Sequence, residues 1–373
     1  GMAVMKIKSV RGAPFDKLQT TTPGWKISIG ARKPHDRTVI ICVRVDTDEG
    51  LYGLGTSSPG LIVISGETVD YHLDLINHVL GPALTGMDPF DIESIHLSMD
   101  SAAARGERAK AAIDLALYDL MGKALKVPAI KLLGGIVNES VRVTRLMGLY
   151  DPKEMAERTK VIVDEGCTAL KLKVGTTLQE DIERVDRVRD AVGPDVIITI
   201  DFNQACTPKE AIERLNRMEP CHITLAEQPV KREDFKGLAT VRRNVSTLIM
   251  ADECVNTPSD AMRVIETGAA DVISLKWPKM GGLYKCKKIA AICEAAEIDY
   301  LVGTCGNNRL AAAAAIHLAA SLKNLRLPCE LGEFERFRND PSSGLEVNAG
   351  FLTVPKKPGL GVEVDLAAVG LAD

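Results

Sequence analysis

Four apolar runs in this chain end on a charged residue at nearly equal intervals: Asp201 in ITIDFNQ, Glu227 in TLAEQP, Asp252 in IMADEC and Lys276 in ISLKWP. The spacings are 227 − 201 = 26, 252 − 227 = 25 and 276 − 252 = 24 residues. Each holds one strand, one helix and the turns between them, which is the repeat of a parallel sheet. Strands are expected near 141–144, 169–174, 196–201, 223–227, 247–252, 272–276, 300–303 and 329–331, with amphipathic helices such as PKEMAERTKVIVDEG in the gaps. Eight units without a reversal favour a closed (β/α)8-type TIM barrel over an open doubly wound sheet. The carboxyl ends of barrel strands share one face, so the four charged side chains are expected to converge on one cavity.

The flanks have a different texture. Residues 1–133 predict an α+β capping domain, because MKIKSV and TVIICVRVDTDEGLYGLGTSS alternate like antiparallel strands and the apolar spacing turns helical from Thr68 to Leu133. Pro14 to Arg37, polar and broken by Pro and Gly, predicts a mobile loop whose Trp25 is a candidate to cover a substrate. Residues 134–340 hold the barrel and its active site, and 341–373 are expected to return to the cap.

Of the 373 residues, 46% are hydrophobic and 26% charged, with a net charge of −4 and no basic block. Nucleic acid and anionic membrane therefore lack electrostatic support as partners, and a small carboxylate substrate is the better expectation. The run LAAAAAIHLAA is too short to span a bilayer, and the N-terminus has no secretory apolar segment. Nine scattered cysteines without a C-x-x-C add to the expectation of a cytoplasmic protein with reduced thiols.

Three converging carboxylates repel one another, and a hard divalent cation resolves the conflict. An all-oxygen set argues for Mg²⁺, with Mn²⁺ as the alternative, over zinc. Helix caps or surface acids are the plainer explanation, yet each acid ends an apolar strand. The stretch TALKLKVG places Lys171 and Lys173 on one face of the strand before that of Asp201, while Lys276 ends the strand after that of Asp252. A buried lysine beside another cation is expected to have a lowered pKa and to serve as a base. Lysines opposed across a cation suit removal of a proton alpha to a carboxylate through an enediolate.

The ordered set VRVDTDEGLYGLG, AIDLALYDLMGKALKVPAIKLLGG, KLK, DFN, EQP, ADE, KWPKMGG and PGLGVEVD resembles the muconate-lactonizing-enzyme subgroup of the enolase superfamily over essentially the whole chain. The resemblance implies a modified (β/α)7β barrel under its cap and a homo-oligomer, often an octamer. It implies that Asp201, Glu227 and Asp252 hold Mg²⁺ and that Lys173 and Lys276 form the acid/base pair on opposite faces of the substrate. By the same resemblance, Lys171 steadies the substrate carboxylate and depresses the pKa of Lys173, and Asn203 supports the metal site. A mandelate-racemase-type site fits less well, because LVGTCGNNR lacks the expected His and His317 reads as a packed helix residue. Cys305 in that segment is expected to line the cavity.

Members of the subgroup racemise N-acyl amino acids, epimerise dipeptides, act on proline derivatives, cycloisomerise or dehydrate. Its dipeptide epimerases share an Asp-x-Asp on the eighth strand. PCELGE departs from that pattern, which counts against an ordinary dipeptide but leaves Glu330 for a cationic nitrogen. Two retained lysines favour racemisation or epimerisation of an amino-acid derivative. Cycloisomerisation or dehydration is the alternative, and a non-catalytic binding protein on this fold a more distant one. A dinucleotide-dependent oxidoreductase fails, because GLYGLG lacks the G-x-G-x-x-G spacing and no helix follows it.

Overall fold

The computed structural model describes residues 5–29, 37–303, 308–323 and 325–373. Strands β1 (Ile7–Thr20), β2 (Arg37–Thr47) and β3 (Tyr52–Ser57) pair antiparallel in that order, and Phe337–Arg338 joins the outer edge of β1. Successive residues of a strand point to opposite faces. Ile41, Val43 and Val45 therefore join the main core, whereas Ile40 and Cys42 pack with Phe15, Leu18, Val369 and Leu371.

This second cluster corrects the expectation of a mobile loop from Pro14. β1 continues to Thr20 through an irregularity between Phe15 and Leu18, because both side chains are buried against the end of the chain. A neighbour so distant in sequence leaves no local signal.

The glycines of GLYGLG have a packing cause. A Cβ at Gly53 or Gly55 would strike the carbonyl oxygen of Ala116 or Ala112 in the buried helix Glu107–Leu125. Gly55→Ala is expected to cost about 1–3 kcal/mol by overpacking. Denaturant unfolding measures this, and an unchanged midpoint would mean that the helix simply withdraws.

β4 (Ser140–Arg142) pairs with Phe351–Thr353 outside the barrel. The barrel strands are β5 (Arg145–Met147), β6 (Ala169–Lys173), β7 (Ile197–Asp201), β8 (Leu225–Glu227), β9 (Leu248–Ala251), β10 (Val272–Lys276) and β11 (Asp299–Gly303), parallel and in chain order. The ring closes through a single short segment. Cys329 N donates to Arg142 O at 2.9 Å, Thr144 N to Cys329 O at 2.8 Å, and Glu330 N to Val302 O at 2.9 Å. Two expected strands are thereby revised: 141–144 holds β4 and a bridge at Val143 while the barrel strand β5 begins only at Arg145, and 329–331 shrinks to a bridge flanked by Pro328 and Gly332, which oppose extension. The result is a TIM barrel of the seven-strand-plus-one kind, with an antiparallel cap.

Side-chain caps restart the helices after the strands. Asp151, Thr177, Thr207 and Thr257 accept backbone N–H bonds at helix N-termini, and Pro152, Pro208 and Pro258 take the first helical turn. These local signals keep each strand's carboxyl end on the same rim. The last residues lie against the cap, where Leu360 N donates to Asp119 Oδ1 at 2.8 Å and Arg44 Nη1 to Leu371 O at 2.9 Å. Among the described residues, no helix is long and apolar enough to cross a membrane, and eight cysteines are free and buried.

Candidate active site

Strand register sets the height of the charged residues. Lys173 is the Cα partner of Asp201, Asp201 that of Glu227, and Lys276 that of Gly303. A cavity of about 490 Å³ lies between the barrel rim and the cap. Lys171, Lys173, Asp252, Lys276 and Glu330 line it on the barrel side, and Asp201 and Glu227 touch these lysines from deeper in the barrel. Ile27, Leu61, Ile62, Ile64 and Val69 form an apolar wall on the cap side.

The ring alternates charge. Lys173 Nζ contacts Asp201 Oδ2 and donates to Asn203 Oδ1 at 2.9 Å. Lys171 Nζ contacts Glu227 Oε2, donates to Glu330 Oε1 at 2.6 Å and stands 3.5 Å from Asp201 Oδ2. Lys276 Nζ contacts Asp252 Oδ2 and reaches Glu227 Oε1 at 3.3 Å. Glu330, which strand alternation could have turned outward, is buried at 2% exposure and faces the lysines.

Local backbone makes this arrangement. Asn203, Gln204 and Gln228 have φ of 43°, 69° and 35°, so the chain turns left-handed just beyond the acids that end β7 and β8. Buried Gln228 then fastens the next acid turn, with its Oε1 accepting from Asp252 N at 3.0 Å. Gly303 leaves room for a lysine, since a Cβ there would lie 2.7 Å from Lys276 Cε.

Burial first and Asp201 second push the Glu227 carboxyl well above the usual carboxylate range. Burial also opposes ionisation of Asp252, but Lys276 and Lys279 prevail and hold it well below that range. Asp201 is likewise lowered, with Lys173 and Lys171 overcoming burial. For Lys171, burial acts to lower the pKa, yet Glu227, Glu330 and Asp201 outweigh it and hold the amine above its ordinary value. Lys276 also acts downward on Lys171, but the three surrounding acids act upward more strongly.

Glu227, Asp252 and Glu253 offer oxygen atoms within 4.8 Å of one another, a set able to hold a metal ion; of the three expected acids Asp201 is not in that group, its Oδ2 being in contact with Lys173 Nζ. Burial, then Asp252 and Asp201, lift Glu253 to about 7. Only carboxylate oxygens meet here, and Glu227 resists ionising beside its neighbours, so the donor set fits a hard divalent cation. Glu253 is a site residue that the sequence reading missed, and its one signal was the second acid of ADE.

Trp25 lines the cavity, with the Arg336 guanidinium 4.5 Å from its ring centre and 4.6 Å from that of Phe337. Glu333 Oε2 accepts from Arg336 Nη2 at 2.7 Å. Arg336 and Glu333 were also missed; they follow PCELGE on a short helical turn, Glu333–Arg336. Cys305 lies outside the described residues.

His317 is a packed helix residue, fully buried, with Nε2 donating to Leu360 O at 3.1 Å. Burial lowers its pKa from 6.5 to about 4. The unfolded chain therefore binds this proton first as pH falls through 6.5, and stability drops until the folded histidine titrates near 4. Between pH 7 and 5 this single group is expected to remove about 2 kcal/mol of stability. Urea unfolding of wild type and His317→Gln at both pH values measures the difference, and an identical pH dependence in the two would contradict it.

The family model "Enolase C-terminal domain-like" matches residues 154–368, and the "Mandelate racemase / muconate lactonizing enzyme, N-terminal domain" matches residues 16–134. A hydrophobic dipeptide epimerase of Enterococcus faecalis is 41% identical over 323 residues, covering 86% of this chain and 89% of that protein. An N-succinyl-L-Arg/Lys racemase of Bacillus cereus is 34% identical over 326 residues, 87% of this chain and 88% of that protein. The crystal structure of a dipeptide epimerase from Enterococcus faecalis V583, complexed with Mg and the dipeptide L-Leu-L-Tyr, matches with a TM-score of 0.90 at 37% identity, covering 96% of this chain and 99% of that one. The chain belongs to the enolase superfamily, in its muconate-lactonizing-enzyme-like branch. Like these relatives, it is an isomerase.

Proposed function

We propose that this isomerase racemises or epimerises an amino-acid derivative, a dipeptide or an N-acyl amino acid, by moving the proton alpha to its carboxylate. The observation that carries this reading is the placement of Lys173 on β6 and Lys276 on β10, lining one cavity with acid-bearing strand ends between them. For one stereoisomer Lys173, as the free amine, takes the α-proton and Lys276, as the ammonium, delivers a proton to the opposite face. The reverse reaction exchanges their roles.

Asp201, Glu227 and Asp252 would hold Mg²⁺, with Mn²⁺ as the alternative. The bound cation would supply the positive charge that makes a carbon beside a carboxylate acidic enough to deprotonate. Lys171, between Glu227 and Glu330, steadies the substrate carboxylate, and Asn203 orients the Lys173 amine. We assign Glu330 to a cationic substrate nitrogen and Trp25 to covering the substrate. The apolar cap wall supports a hydrophobic substrate side chain. The unit division 1–133, 134–340 and 341–373 and assembly as a homo-oligomer belong to the same proposal.

The test is α-hydrogen exchange in D₂O with Mg²⁺, followed by proton NMR over paired stereoisomers of dipeptides, N-acyl amino acids and proline derivatives. Exchange from both members of a pair is expected. Ring closure or loss of water without exchange would instead indicate a cycloisomerase or dehydratase, and tight binding without turnover a binding protein. Gly303→Ala, which crowds Lys276, is expected to slow exchange on the order of 10²-fold. Wild-type exchange in that variant would show that Lys276 needs no such room.

A further inference from the structure

We infer that Glu253 is a positioning residue for Lys173, acting through the side-chain amide of Asn203; this rests on the isomerase reading above. Asn203 sits in its left-handed turn with the backbone N–H held by Asp201 Oδ1 at 2.8 Å. Its amide spans two charged side chains. Lys173 Nζ donates to Oδ1 at 2.9 Å, and Nδ2 donates to Glu253 Oε1 at 3.2 Å.

A side-chain amide can present either its oxygen or its NH₂ to a neighbour. An accepting carboxyl oxygen draws the NH₂ to Glu253 and thereby turns the amide oxygen to Lys173. Without it, the flipped amide would aim N–H groups at an ammonium. With N–H bonds given to Asp201 and Asn203, the Lys173 amine keeps its remaining position for the substrate. Glu253 is 6% exposed, and its Oε2 has no hydrogen-bond partner among the described residues. A buried acid so sparsely bonded is costly to stability; besides its place among the oxygen donors, its bond to Asn203 links it to Lys173. The Asn203 amide joins Glu253 to Lys173, whereas Lys276 contacts Asp252 and Glu227, so the effect carried through the amide falls on one lysine.

The consequence is one-sided. In D₂O at saturating Mg²⁺, α-hydrogen exchange would be followed for L-Leu-L-Tyr with L-Leu-D-Tyr and for N-succinyl-L-phenylalanine with its D-isomer. Glu253→Ala is expected to shift the ratio of the two stereoisomers' rates on the order of 10²-fold, against the isomer that Lys173 deprotonates. Glu253→Gln, whose amide oxygen can accept the same bond, is expected to keep the wild-type ratio. Only folded enzyme contributes to the ratio, so partial unfolding cannot imitate the effect. Equal slowing of both isomers by Glu253→Ala, or a ratio as disturbed in Gln as in Ala, overturns the inference alone. Wild-type protein that exchanges neither isomer of either pair overturns the isomerase reading and this inference with it.

Discussion

Replacing Lys276 by Ala, or Lys173 by Ala, is expected to lower epimerisation at least about 10²–10⁴-fold, the scale of one general acid–base group. Each variant removes a different half of the reaction. An enzyme without Lys276 keeps the amine that works on the other face, so it should still exchange the α-hydrogen of one stereoisomer while failing to invert it. The Lys173 variant should show the opposite preference. Both lysines line the cavity rather than the hydrophobic core, so the fold is expected to survive, which circular dichroism and an unfolding curve would establish. Wild-type turnover in either variant would remove that lysine from the chemistry, and matching stereoisomer preferences would remove the opposition between the two.

The second large effect concerns the acids. Chelation of divalent ions is expected to abolish exchange, and Asp252→Asn to weaken Mg²⁺ binding and turnover together. A readout independent of activity is available in stability: an ion bound only by the folded chain stabilises it by about 2.7 kcal/mol at 100 times its dissociation constant. Mg²⁺ should therefore raise the unfolding midpoint of the wild type and raise that of Asp252→Asn far less. A midpoint indifferent to Mg²⁺ and Mn²⁺ in the wild type would place the cation elsewhere or nowhere.

Much of this was legible in the chain because a parallel barrel writes its period into the sequence. The intervals from Asp201 to Lys276 carry both the fold and the rim, since register converts equal spacing into equal height. What was not legible depends on partners far away in sequence or on turns beyond strand ends. Phe15 and Leu18 look like loop residues until Val369 and Leu371 cover them. The closing segment at Cys329 was placed correctly, but its shortening to a bridge between Pro328 and Gly332 was not legible.

Glu253 follows an acid already assigned, and only the chain's path beyond β9 brings it to Asn203. The surroundings of Lys171 were hidden for a related reason: sequence order names its neighbours but not their distances, and three carboxyl groups lie within 3.5 Å. The segment PCELGE departs from the Asp-x-Asp pattern. Glu330 occupies the cavity with an acid from that same segment.

The most direct measurement is a crystal structure of the Lys276→Ala variant, too slow to consume its ligand, with Mg²⁺ and L-Leu-L-Tyr bound, beside that of Lys173→Ala. The account predicts the cation on Asp201, Glu227 and Asp252, with the remaining lysine of each variant about 3–3.5 Å from the α-carbon on opposite faces. A cation bound away from those acids, or both amines approaching that carbon from one side, would contradict it.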